Sequence, residues 1–135
     1  MDILGPFPVA KGQLKFLLVG IDYFTKWIEA EALAKITAAN IQRFTWKKII
    51  CRYGLPHAIT TDNGKQFVDK NFEQFLGQLG INHKVTLVEH PQTNGQVEAA
   101  NKVELRKRLG SAKGEWVDEL PGILWAYHCT PQTTT

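Results

Sequence analysis

The sequence predicts an α/β fold: a mixed central sheet, made of a three-strand antiparallel meander plus two further strands, flanked by helices. Three observations predict it. A nearly continuous apolar run over residues 14–22 reads as a strand covered on both faces. Two later segments carry helical apolar spacing directly behind capping residues, Thr37 and Asp69. The order of three strands, helix, strand, helix, strand and helices belongs to an α/β protein rather than a bundle or a sandwich.

Residues 2–9 start apolar and then meet Gly5, Pro6 and Pro8, so they form a short strand running into a loop. After the apolar run, residues 23–26 make a turn and residues 27–32 alternate as a neighbouring strand does. Thr37 caps a helix carrying Ile41, Phe44 and Ile49 that stops at Gly54-Leu55-Pro56, where glycine supplies a left-handed cap and proline forbids continuation. A short strand follows over residues 57–61. Asp69 caps the next helix, in which Phe72, Phe75, Leu76 and Leu79 share one face and which Gly80 ends. Residues 81–88 read as a strand. From residue 93 or 94 the chain is helical to about Leu109, breaks over residues 110–114, and resumes around Trp116, with Pro121 expected to start or kink the last helix.

A chain of 135 residues with 44% hydrophobic side chains is sized for one domain with a real core. The expected organisation is a single domain over residues 1–129, truncated at both ends, and a frayed, threonine-rich tail over residues 130–135. Cys51 and Cys129 are too few for a disulfide framework or a four-ligand zinc site, and a reducing, intracellular setting is expected. No apolar run is long enough to span a bilayer, so a soluble protein without a membrane partner is expected. The formal charge of +3 is only mildly basic, but Lys102, Arg106, Lys107, Arg108 and Lys113 gather where a phosphate backbone can sit; a solvated helix face is the ordinary explanation of such a run.

Three acids carry the candidate chemistry. Asp62 stands in Thr61-Asp62-Asn63-Gly64 directly after a strand, where an Asx turn alone accounts for it. Glu98 sits one turn into a helix, where complementing the helix dipole is its ordinary role. Asp2 taken alone is just a solvated acid. Together they change the argument, because an acid on the first strand, one at the exit of a later strand and one on a following helix converge at a sheet end, where α/β sites lie. Two carboxylates about 4 Å apart repel by roughly 4 kcal/mol at an effective dielectric near 20, so three stay ionised together only around a cation. Oxygen ligation suits magnesium, and a pair of ions serves in-line phosphoryl displacement.

The motifs resemble the integrase core of Ty3/gypsy-type retrotransposons, especially the plant elements, with retroviral integrases as more distant relatives. The resemblance rests on Met1-Asp2-Ile3-Leu4-Gly5-Pro6, on residues 16–21 leading into Asp22-Tyr23-Phe24-Thr25-Lys26-Trp27, and on Thr61-Asp62-Asn63-Gly64-Lys65-Gln66-Phe67. Residues 90–101 and Leu124-Trp125-Ala126-Tyr127 complete it. It implies a ribonuclease-H-like fold and a D,D-35-E triad falling on Asp2, Asp62 and Glu98, which bind two Mg2+ or Mn2+ ions. By position Asp22, the rival first acid, matches a turn and takes no catalytic role. Lys102 is carried over as a DNA contact, with Asn101, Asn94 and Arg106 beside it.

The same resemblance implies DNA integration: water trims the element's ends, and the new 3′ hydroxyl attacks a phosphodiester of target DNA. The implied partners are element and target DNA and further copies of the chain, with no small-molecule cofactor, and the implied location is the nucleus, by way of cytoplasmic particles and without a visible targeting signal. Departures keep a second reading open. The first acid stands one residue from the start, the helix after Glu98 is about three residues shorter than in relatives, Glu104 replaces an apolar residue, and the upstream zinc-binding and downstream DNA-binding domains are missing. These favour a catalytically impaired element fragment that binds nucleic acid or assists assembly. A third reading is another nuclease or transposase of the same fold. His57, His83, His90 and His128 lack zinc-site spacing and are expected on the surface or in loops.

Overall fold

The computed structural model describes residues 1–23, 25, 27–86 and 105–129, with only the main chain described at Tyr127. The chain divides into two compact units. One joins Met1–Asp2 to Lys35–His90, and the other joins Ile3–Ala34 to Pro91–Thr135.

The second unit holds the meander from Ile3 onward. Strands β1 (Asp2–Leu4), β2 (Phe16–Ile21) and β3 (Ile28–Leu33) form a sheet in that order. β2 and β3 pair antiparallel from Phe16↔Leu33 to Ile21↔Ile28, and the Asp22 amide donates to the Trp27 carbonyl at 2.9 Å to close the turn. The apolar run meets its expectation: Leu17, Leu18 and Val19 are all buried although consecutive side chains point to opposite faces. Leu17 and Val19 pack into a cluster with Leu4, Phe7, Ile28, Leu105, Leu109 and Trp116.

Residues 105–111 form helix α4, whose Leu105 and Leu109 supply the buried stripe. α4 takes in Gly110, so the break is shorter than the sequence suggests. It is made by residue 112 and a 3-10 turn (Lys113–Glu115) with Lys113 in the left-handed region at φ 53°. Helix α5 (Trp116–Cys129) then resumes at Trp116, as expected, and carries Pro121 inside it. Burial of Trp116 and Leu120 anchors the first turn of α5, against the one main-chain bond a proline lacks.

The first unit is built on a β-α-β crossover. β4 (Ala58–Asp62) and β5 (Asn82–Thr86) pair in parallel from Ala58↔Asn82 to Asp62↔Thr86, joined through α3 (Lys70–Gln78). Thus the strands are hydrogen-bonded as a three-stranded antiparallel sheet and a two-stranded parallel one. Asp69 caps α3 by accepting from the Asn71 amide at 2.8 Å, Phe72 and Leu76 turn inward, and Gly80 ends the helix at φ 72°. Before the crossover, Thr37 caps α1 (Ala38–Phe44) by accepting from Asn40. The helix then widens into a π turn (Thr45–Ile50) and closes in α2 (Cys51–Tyr53), ending at Gly54 with φ 88°. The Thr45 hydroxyl, fully buried, donates to the Ile41 carbonyl at 2.8 Å; such back-bonding competes with the ordinary helical ladder at the point where the helix widens. Among the described residues no helix is long and apolar enough to cross a membrane.

Candidate active site

Asp62 is the last residue of β4, and its surroundings follow from the local sequence. Its Oδ1 accepts the Gly64 amide at 2.7 Å, the Asx bond that Asp-Asn-Gly favours. The Phe67 and Val68 amides donate to the Gly64 carbonyl at 2.9 and 3.1 Å, and Phe67, fully buried, stacks obliquely on Phe72 at 6.2 Å. The segment from Thr61 to Phe67 is therefore a turn nailed into the core at its far end. A carboxylate has two oxygens with several lone pairs, so the Asx bond does not exhaust Asp62 as a ligand. Structural and chemical roles are compatible here.

Asp2 opens β1 and belongs to the same unit as Asp62. The Met1 nitrogen donates to the Thr60 carbonyl of β4 at 2.7 Å, two residues before Asp62. Asp22 is exposed in the β2–β3 turn, where its Oδ1 accepts the Thr25 amide at 3.4 Å. In the other unit Arg106, Lys107 and Arg108 stand on the exposed face of α4, opposite buried Leu105 and Leu109. Glu98, Asn94, Asn101 and Lys102 lie outside the described residues, as does His90.

Among the described residues there is no group of three or more His, Cys, Asp or Glu side chains placed to hold a metal ion. The donor set nevertheless suits a hard cation as far as it goes. Asp2 and Asp62 offer oxygen only, the class that magnesium and manganese take. A Cβ placed at Gly64 would stand 2.8 Å from Asp62 Oδ1, so glycine is what lets the carboxylate lie against the turn.

His83 departs from expectation. It is not a surface histidine, for its side chain is only 5% exposed. Nδ1 lies 2.5 Å from Glu73 Oε1 on α3, and Nε2 lies 2.8 Å from the hydroxyl of buried Thr61. The missed signal was period two in β5: Ile81 is buried, and residue 83 shares its face. Of the other histidines, His57 is exposed, and His128 stacks on Trp27 at 3.6 Å and bonds the Ile28 carbonyl at 2.9 Å.

A sequence profile of the integrase core domain matches residues 1–91. The chain belongs to the integrase core domain family. It is also similar, at 36% identity over 126 residues, to the Gag-Pol polyprotein of avian reticuloendotheliosis virus, a match covering 90% of this chain and 11% of that polyprotein. The Pol polyprotein of Radiation murine leukemia virus (strain Kaplan) is 36% identical over 121 residues, covering 87% of this chain and 21% of that protein. The Gag-Pol polyprotein of feline leukemia virus gives the same identity and span and is covered over 7% of its length. The chain thus spans between 7% and 21% of the length of these relatives. In structure it matches a chain of the simian T-cell lymphotropic virus intasome in complex with PP2A regulatory subunit B56 gamma, with a TM-score of 0.72 and 23% identity, over 98% of this chain and 49% of that one. The integrase core fold is ribonuclease-H-like, as the motifs imply.

Within this integrase core, Gly64 offers a local test. Gly64→Ala should push the Asp62 carboxylate off the turn, since the end of a side chain yields before main chain does. Unfolding free energy should change by less than about 1 kcal/mol, as is usual away from a packed core. On the reading of Asp62 as an ion ligand, divalent-ion binding measured by calorimetry should weaken clearly. Unchanged ion binding would show that the carboxylate's seat against Gly64 is irrelevant.

Proposed function

We propose that residues 1–129 form the catalytic core of an integrase that joins retroelement DNA to target DNA, in an element of Ty3/gypsy type. The observation that supports this reading is the Met1–Thr60 bond, made two residues before Asp62 and one before Asp2 within the same unit. Asp2 and Asp62, with Glu98 as the third acid, would hold two Mg2+ or Mn2+ ions. When bound, such ions polarise the phosphodiester and lower the pKa of an attacking oxygen.

The protein's own work is placement. The Asx turn holds the Asp62 carboxylate in one orientation, and buried Phe67 keeps the turn from drifting, so little ordering remains to be done when substrate arrives. No covalent link to the protein is needed. In the first step water opens a phosphodiester near the element's end and leaves a 3′ hydroxyl. In the second that hydroxyl attacks a phosphodiester of target DNA and displaces a 3′ oxygen. Lys102, Asn101, Asn94 and Arg106 would hold the DNA, Arg106 from the exposed face of α4. Action as a homo-oligomer in the nucleus belongs to the same proposal.

Exposed Arg106, Lys107 and Arg108 also support a second reading, in which the chain binds nucleic acid without turning it over. Incubation of the purified chain with Mn2+ and a short DNA duplex separates the two. Nicked and joined products support the integrase, whereas retained binding with neither product supports the binding module. In either case affinity should fall steeply with salt. Six phosphate contacts would cost roughly a thousandfold between 50 and 200 mM, so a flat salt profile from fluorescence anisotropy would rule out backbone recognition.

A further inference from the structure

His83, Glu73 and Thr61 form a chain of contacts that ends at Asp62 and that the integrase reading leaves unused. β4 and β5 pair in parallel with Ile59 opposite His83, so Ile59, Thr61 and His83 share one face of the pair. α3 covers that face. The Phe72 ring meets the imidazole edge-on at 5.6 Å, and Glu73 reaches Nδ1 from the solvent side. An ionised carboxylate only accepts, so Nδ1 carries its hydrogen toward Glu73, and the imidazole is held in one orientation.

Nε2 then faces Thr61. The Thr61 hydroxyl is 2.8 Å from Nε2 and also 2.8 Å from the Asp62 carbonyl, and its one hydrogen is shared between these two acceptors. This hydroxyl is fully surrounded and cannot turn to water, since Thr61 is 2% exposed. The Thr86 hydroxyl adds a bond to the Thr61 carbonyl at 3.2 Å. The main chain entering and leaving Asp62 is thereby gripped from β5, while the Gly64 amide grips its carboxylate.

We propose that His83 is a positioning residue for Asp62: clamped by Glu73, it fixes the Thr61 hydroxyl and with it the backbone that presents the Asp62 carboxylate. The proposal rests on the reading of Asp62 as an ion ligand. A buried histidine that merely fills space would be replaced best by leucine. One that positions a hydroxyl would be replaced best by glutamine, whose amide keeps a polar group facing Thr61.

The test uses the whole chain in three variants, His83→Leu, His83→Gln and Glu73→Gln, each checked for folding by thermal unfolding. Without any metal, exchange of the Gly64 amide hydrogen, which the Asp62 carboxylate protects, should quicken about tenfold in His83→Leu and return within about threefold of wild type in His83→Gln. Calorimetric Mn2+ affinity should follow the same order, weakening roughly tenfold in His83→Leu, the low end for residues that orient a ligand. Should His83→Leu not fold, Glu73→Gln at the exposed end of the relay should show both effects at about threefold. Wild-type exchange and affinity in His83→Leu, or in Glu73→Gln where that variant stands in, overturn the proposal. So does His83→Gln exchanging as fast as His83→Leu. The parent reading fails differently, by Asp62→Asn binding Mn2+ as tightly as wild type does.

Discussion

Asp62→Asn should abolish DNA nicking and joining while leaving the fold intact. The substitution keeps shape and size, and the asparagine carbonyl oxygen can still accept the Gly64 amide now bound at 2.7 Å, so the turn survives. What is lost is one negative charge and with it much of the pull on a divalent ion. Bound ions contribute several kcal/mol to stabilising phosphoryl displacement, and each 1.36 kcal/mol is a factor of ten, so a loss of about a thousandfold or more is expected. Folding should not suffer. The Asx bond that shapes the turn is kept, and the melting temperature should stay level. A gel assay of strand-transfer products checks the first expectation and a thermal melt the second. A variant that keeps a tenth of wild-type joining would remove Asp62 from the reaction.

The largest effect on stability should come from Trp116→Ala. Trp116 is fully buried, lies 4.8 Å from the Phe7 ring between centroids, and donates its Nε1 hydrogen to the Pro8 carbonyl at 2.8 Å. It opens α5 and sits in the cluster shared with Leu17, Val19, Leu105 and Leu109. Truncation removes the transfer energy of a large side chain, leaves a cavity that close-packed neighbours fill only in part, and orphans a carbonyl. Together these cost roughly 3–5 kcal/mol, a large share of the stability of a domain this size. Denaturation by urea should show the midpoint falling sharply, and Trp116→Phe should recover more than half of the loss. A shift equivalent to less than about 1 kcal/mol in the alanine variant would mean that the cluster is not a cooperative part of the fold.

Local chemistry was legible wherever it acts through near neighbours. Thr37 and Asp69 cap their helices as predicted, Gly54 and Gly80 end theirs with positive φ, and Asp62 makes the turn its flanking Asn-Gly prescribes. The strand covered on both faces was legible in three consecutive apolar residues. The π turn at Thr45 was not, because a threonine within a helix says nothing about which carbonyl its hydroxyl will find. The start of the last helix at Trp116 was legible, whereas its running on through Pro121 rests on burial of Trp116 and Leu120 that distant residues set.

By itself the sequence determined the order of elements, the caps and the integrase family, and it named Asp2, Asp62 and Glu98 as candidate acids, since these depend on residue type and short spacing. Only the tertiary structure decided that Met1 meets Thr60 and that His83 is buried between Glu73 and Thr61. Those contacts join strands and helices far apart along the chain. No local propensity encodes such pairings, which arise when separate apolar faces find one covering and carry their polar groups with them.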